Sequence, residues 1–135
     1  MMQKEKTAGF EALQGHRYMN LTTFRKDGSP VRTPVWFSEA GGQFYVYTGR
    51  NTGKVKRIRN NGRVLVGPCN VRGRPLGPET AGVVGLLAVE ESSVAKESLN
   101  RKYGLQKRAF GPIQRLLGRG EGVYLEVSPR LENGA

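Results

Sequence analysis

Eight basic side chains stand between Glu39 and Glu79 with no acid among them: Arg50, Lys54, Lys56, Arg57, Arg59, Arg63, Arg72 and Arg74. Cations this dense repel one another unless something anionic visits them. Four of them lie on Asn51 to Asn61 (NTGKVKRIRNN), where Val55 and Ile58 recur at helical spacing. Asn51 or Thr52 can cap the start of that helix and Gly62 can end it. With Val55 and Ile58 as the buried direction, Lys54 and Arg59 fall about 70° to either side of it, and Lys56 and Arg57 point further out. Lys54 also falls in the first turn, where the helix dipole disfavours a cation and the free backbone N–H groups attract an anion. A bound phosphate resolves that conflict. The plainer alternative is a solvated basic face.

Other chemistries find little support. His16 is the only histidine, so a Ser-His or Cys-His pair would have to use it, and Gly15-His16-Arg17 offers it no obvious partner. Cys69 is the only cysteine and cannot build a cysteine-rich metal site. It follows Pro68 at a strand end, a setting that suits a small buried residue. The stretch GRNTGK lacks the spacing of a Walker loop and the Ser/Thr after its lysine.

The elements that must position the cations read mostly as strands. Residues 3–15 suggest a short helix, with Phe10 and Leu13 on one side. Tyr18 to Phe24 is rich in β-formers, Lys26-Asp27-Gly28-Ser29 reads as a hairpin turn, and Pro30 to Ser38 returns. Gly41-Gly42 turns the chain into a third strand, Gln43 to Thr48. Arg63 to Cys69 and Ala81 to Glu90 are the fourth and fifth strands, separated by a basic loop from Val71 to Pro78. Ser93 to Tyr103 is a helix stopped by Gly104, followed by short helical pieces at Gln106 to Phe110 and Pro112 to Leu117. Gly122 to Ser128 alternates cleanly, with Val123, Leu125 and Val127 inward. Six antiparallel strands with peripheral helices predict a mainly β fold, a closed or split six-stranded barrel. At 135 residues the chain is expected to be one domain, 1–135, with 1–9 and 130–135 frayed.

On the second strand, Val31, Thr33, Val35 and Phe37 share one face, and Arg32, Pro34 and Trp36 share the other. The first set belongs inside the barrel. Pro34 cannot donate to a ladder, so the strand is at an edge or bulged there. An outward Trp36 beside that irregularity suggests a ligand or a subunit interface, or simple dimer packing.

Taken together, LTTFRKDGSPVRTPVWF, TGKVKRIRNNGRVLVGPC and RGRPLGP resemble the deazaflavin-dependent branch of the pyridoxamine 5′-phosphate oxidase-like superfamily. The resemblance runs from about Phe10 to Ser128. It implies a split β-barrel and a homodimer with two cofactor sites along its interface. It implies the deazaflavin F-420 as cofactor, or FMN as in other branches. The cofactor phosphate is implied to rest on Thr48, Lys54 and Arg59, and the ring on Thr33, Pro34, Val35, Trp36 and Pro68. The implied reaction is hydride transfer to a small electrophilic organic acceptor. No catalytic acid stands out; Tyr45, Tyr47 or water could supply a proton. The number of cations favours F-420, whose phosphodiester carries several glutamates and could reach Arg72 and Arg74. Ser128-Pro129-Arg130-Leu131 only faintly matches the substrate-binding tail of the vitamin B6 oxidases, so that reaction is not expected.

A net charge of +11 also fits a nucleic-acid-binding barrel with Phe24, Trp36, Tyr45 and Tyr47 as stacking rings. The cations, however, cluster on one helix and loop instead of alternating with aromatics on one sheet face, so only non-specific nucleic-acid binding is expected. A cofactor carrier without turnover is a further alternative. The longest apolar run, Ala81 to Val89, is too short to span a bilayer and is broken by Gly82 and Gly85. With one cysteine and no apolar signal core, the cytoplasm is the expected location.

Overall fold

The computed structural model describes residues 8–104, 118 and 120–129. Six strands run in the order β1 (Tyr18–Phe24), β2 (Pro30–Ala40), β3 (Gln43–Gly49), β4 (Arg63–Cys69), β5 (Thr80–Leu86) and β6 (Gly122–Pro129). They pair antiparallel around a barrel in the spatial order β1-β2-β3-β6-β5-β4. Helix α1 (Gly53–Asn60) joins β3 to β4, and α2 (Ser93–Tyr103) lies between β5 and β6. The mainly β barrel with peripheral helices is therefore the architecture the alternation predicts.

Local chemistry explains the turns. Between β1 and β2, the Arg25 N–H donates to the Ser29 carbonyl at 2.9 Å. The Asp27 carboxylate accepts from the Ser29 N–H and hydroxyl at 2.9 and 2.7 Å, and Gly28 supplies the left-handed residue at φ 89°.

Inward-facing Met19, Leu21, Val35, Phe37, Phe44, Val46, Val64, Val66, Leu125 and Val127 form one continuous core. Phe10 and Leu13 close one end of it, from a 3-10 helix at Ala8–Leu13. Val55 and Ile58 of α1 are buried at the other end. A second cluster forms outside the barrel, where Ala95, Leu99 and Tyr103 of α2 pack on Tyr45 and Trp36.

The hydroxyl of Tyr103 fixes α2 in place. It accepts from the Phe37 N–H at 3.0 Å and lies 2.8 Å from the Phe37 carbonyl and 2.6 Å from that of Arg17. The β1–β2 ladder ends at Tyr18 opposite Trp36. The next pair would be Arg17 with Phe37, and the tyrosine hydroxyl occupies that position instead. Burial pushes this hydroxyl up to about 12, so it remains a donor throughout the neutral range.

Several expectations are corrected. Of the helix expected over residues 3–15, the described part forms a 3-10 helix at Ala8–Leu13, and Ala8 and Gly9, expected to fray, belong to it. The fifth strand ends at Leu86, not Glu90, because the chain tightens into a 3-10 turn at Val89–Glu91, closed by the Glu91 N–H on the Ala88 carbonyl. The helical pieces expected at Gln106 to Phe110 and Pro112 to Leu117, and the frayed ends at 1–7 and 130–135, lie outside the described residues.

Candidate functional site

The barrel is closed, but β2 and β3 part beyond Phe37 and Val46, leaving an opening at that end. Their ladder covers only Phe37–Ala40 on β2 and Gln43–Val46 on β3. Continued, it would set Val35 opposite Thr48. Instead β3 runs on beside β6 while Pro30–Trp36 pairs with β1 alone. Pro34 therefore sits where β2 has one unpaired edge, as its missing N–H requires. Thr33 is half-buried and Val35 buried on the inner face; exposed Pro34 and half-buried Trp36 are on the outer face. A ligand lying along this edge meets backbone and both faces.

The side of the opening beyond β3 is basic. Thr48, at the end of β3, is buried, and the half-buried Lys54 in the first turn of α1 donates from Nζ to its hydroxyl at 3.4 Å. Arg57 also reaches this turn. Its Nε donates to Thr23 Oγ1 at 2.6 Å, and its guanidinium folds back over Gly53, where a Cβ would stand 2.8 Å from Nη1. Burial and the like charge of Arg25 both lower the pKa of Arg57. The helical phase expected Arg59 to lean inward and Arg57 outward; Arg59 is exposed and Arg57 half-buried. The long side chain bends along the helix to a hydroxyl on β1, which Cβ direction alone does not reveal. Lys56 is exposed as expected.

The structure thus gathers Thr48, Lys54 and Arg57 at one end of the opening and Thr33, Pro34, Val35 and Trp36 along the edge of β2. Two expected residues stand apart. Arg59 points to solvent, and Pro68 on β4 is buried opposite Met19, with Gly77 packed against its ring. Trp36 is not bare either: its indole stacks on Tyr103 at 4.7 Å with 9° between the planes.

The loop from Asn70 to Glu79 crosses the outside of β1 and β4. Asn20 Nδ2 donates to the Gly73 carbonyl at 2.8 Å, and Gly73 packs beside the Pro34 ring. Glu79 meets Arg32 at 3.5 Å. Arg72 and Arg74 flank Gly73 in sequence and are exposed, so two more cations stand near the β2 edge.

Of the two tyrosines considered as proton donors, Tyr45 lies under α2 and Tyr47 shares the outer face with Trp36. Tyr45 is on the outer face of β3 under α2, where it donates to Glu126 Oε2 at 3.0 Å; burial and that carboxylate push it up to about 12. Tyr47, also on the outer face, packs on Tyr124 with ring centres 4.8 Å apart. Among the described residues no group of His, Cys, Asp and Glu is arranged to hold a metal ion. None of their helices is long and apolar enough to cross a membrane.

The donors gathered at one end of the opening suit an anion. Two cations and a hydroxyl meet beside a helix N-terminus at one end, and an unpaired strand edge with a proline and a tryptophan runs from it. Solved structures share the fold. An FAD-binding protein from Mesorhizobium loti superposes with a TM-score of 0.66 at 15% identity, covering 90% of this chain and 85% of that one. An F-420 reductase gives 0.59 at 20% identity, covering 89% and 91%. An FMN-binding, pyridoxamine 5′-phosphate oxidase-related protein from Nostoc punctiforme gives 0.60 at 15% identity, covering 95% and 76%. At these identities the likeness is one of fold. No curated protein matches the sequence. The sequence profile of the pyridoxamine 5′-phosphate oxidase family matches residues 6–124, and the chain belongs to that family.

Proposed function

We propose that the chain binds the deazaflavin F-420 between two copies of itself and is an oxidoreductase that transfers hydride to a small electrophilic organic acceptor. The observation that carries this reading is Lys54, a cation in the first turn of α1 with its ammonium on the Thr48 hydroxyl. Thr48 and Lys54 hold the cofactor phosphate, with Arg57 as the second cation and Arg59 at the rim. Thr33, Pro34, Val35 and Trp36 line the ring along the β2 edge, and Pro68 supports the neighbouring strand from within. Arg72 and Arg74 extend the basic surface toward a polyanionic tail. A second copy covers the unpaired edge.

The bound deazaflavin supplies the hydride. The chain's share is to orient it and to exclude water from the β2 edge. Tyr45 is engaged with Glu126, so Tyr47 on the outer face beside Trp36, or a water admitted with the acceptor, provides any proton the acceptor needs.

Fluorescence titration with F-420 and with FMN, side by side at low and at physiological salt, tests the choice of cofactor. F-420 is expected to bind more tightly, and to lose more affinity as salt rises, because its tail engages more cations. Tighter binding of FMN moves the protein to the flavin branch. Nanomolar binding of a defined oligonucleotide in physiological salt supports the nucleic-acid reading instead.

A further inference from the structure

Lys102, in the last turn of α2, has no part in the proposed reaction and lies at the opposite end of the barrel from α1. Its side chain is half-buried, and Nζ donates to the His16 carbonyl at 2.7 Å and stands 3.7 Å from the centre of the Phe37 ring. It also lines a cavity of about 370 Å³ whose apolar wall is Leu13, Phe37 and Phe44 and whose polar lining includes Gln14 and Glu39.

The charges around this amine are unusual for a lysine. Among the described residues no carboxylate comes within ion-pairing distance of it, although Glu39 lines the same cavity. The neighbouring charge has the same sign: Arg17 and Lys102 both stand over the Tyr103 ring, at 5.3 and 5.4 Å. Among the described residues, the titratable groups around it are Arg17 and His16 before β1, Glu39 on β2, and Tyr103 on α2 itself. Burial first, and Arg17 second, bring Lys102 down to about 8. A desolvated lysine beside a second cation is the arrangement that makes an amine nucleophilic near neutral pH.

We propose that Lys102 is an electrophile-capturing amine and that its cavity takes a small apolar aldehyde, held as an imine. The neutral Nζ adds its lone pair to the carbonyl carbon, and the C=O π pair moves to oxygen. Water carries a proton from nitrogen to that oxygen. Loss of water then breaks the C–O bond and leaves C=N, with nothing oxidised or reduced. The aldehyde's apolar body packs against Leu13, Phe37 and Phe44. Nothing in this proposal depends on which cofactor lies along the β2 edge.

The test uses the intact wild-type protein with benzaldehyde as probe, cyanoborohydride to trap the imine, and peptide mass spectrometry to read each lysine. Exposed Lys26 and Lys56 are internal references. At pH 7, Lys102 is expected to label about tenfold or more faster than either, because ordinary lysines are almost wholly protonated there. Its lead should shrink as the pH rises into the range where ordinary lysines deprotonate. Arg17→Gln should slow Lys102 at pH 7 and leave Lys56 unchanged. Equal labelling of the three lysines at pH 7, or a pH profile for Lys102 parallel to that of Lys56, overturns the proposal.

Discussion

Replacing Lys54 with alanine is expected to cost about 1.5–3 kcal/mol of cofactor affinity, roughly ten- to a hundredfold, the scale of one charge-assisted hydrogen bond. The fold should survive, because Lys54 is half-buried at a helix start and the buried anchors of α1 are Val55 and Ile58. The companion variant Lys56→Ala should cost much less, since Lys56 is exposed on the far side of the helix. Arg57→Gln should fall near Lys54→Ala, and Arg59→Gln near Lys56→Ala. All four belong in one titration series with the same cofactor. Equal losses throughout indicate diffuse attraction instead of a formed phosphate site. A larger loss at Lys56 than at Lys54 contradicts the orientation of α1 toward the opening.

Tyr103→Phe is expected to destabilise the protein by about 1–3 kcal/mol. The change is one oxygen, but that oxygen satisfies the Phe37 N–H and approaches two carbonyls where the β1–β2 ladder stops. A phenyl ring keeps the stack on Trp36 and leaves these backbone groups buried without their partner. Chemical denaturation of wild type and variant measures the loss. A difference below about 0.5 kcal/mol contradicts the view that Tyr103 replaces a ladder bond, that being the range of an ordinary surface change. Cofactor affinity should fall along with stability if loosening α2 frees Trp36.

What local periodicity encodes, the sequence reveals. The inward set Val123, Leu125 and Val127 and the split between Val31–Phe37 and Arg32–Trp36 follow from a repeat of two, and all sit on the expected faces. Val55 and Ile58 follow from a repeat of 3.6. The residues that depend on another element were not legible. Arg57 turns back because Thr23, on a strand some thirty residues away, offers it a hydroxyl. One sequence signal did exist: Gly53 stands four residues before Arg57, and the missing side chain makes room for the guanidinium. Tyr103 gave no signal at all, since nothing near it in sequence says that its hydroxyl ends a ladder between β1 and β2. Trp36 read correctly as outward, but the helix that covers it begins only at Ser93, so its stacking could not be read from its strand.

Sedimentation velocity followed in the visible band of added F-420 tests most directly the claim that this barrel holds a deazaflavin between two copies. The expected result is cofactor travelling with a species of twice the 14.9 kDa chain mass, one cofactor per chain. Cofactor that stays behind as protein sediments, or that travels with a single chain at micromolar concentration, contradicts it.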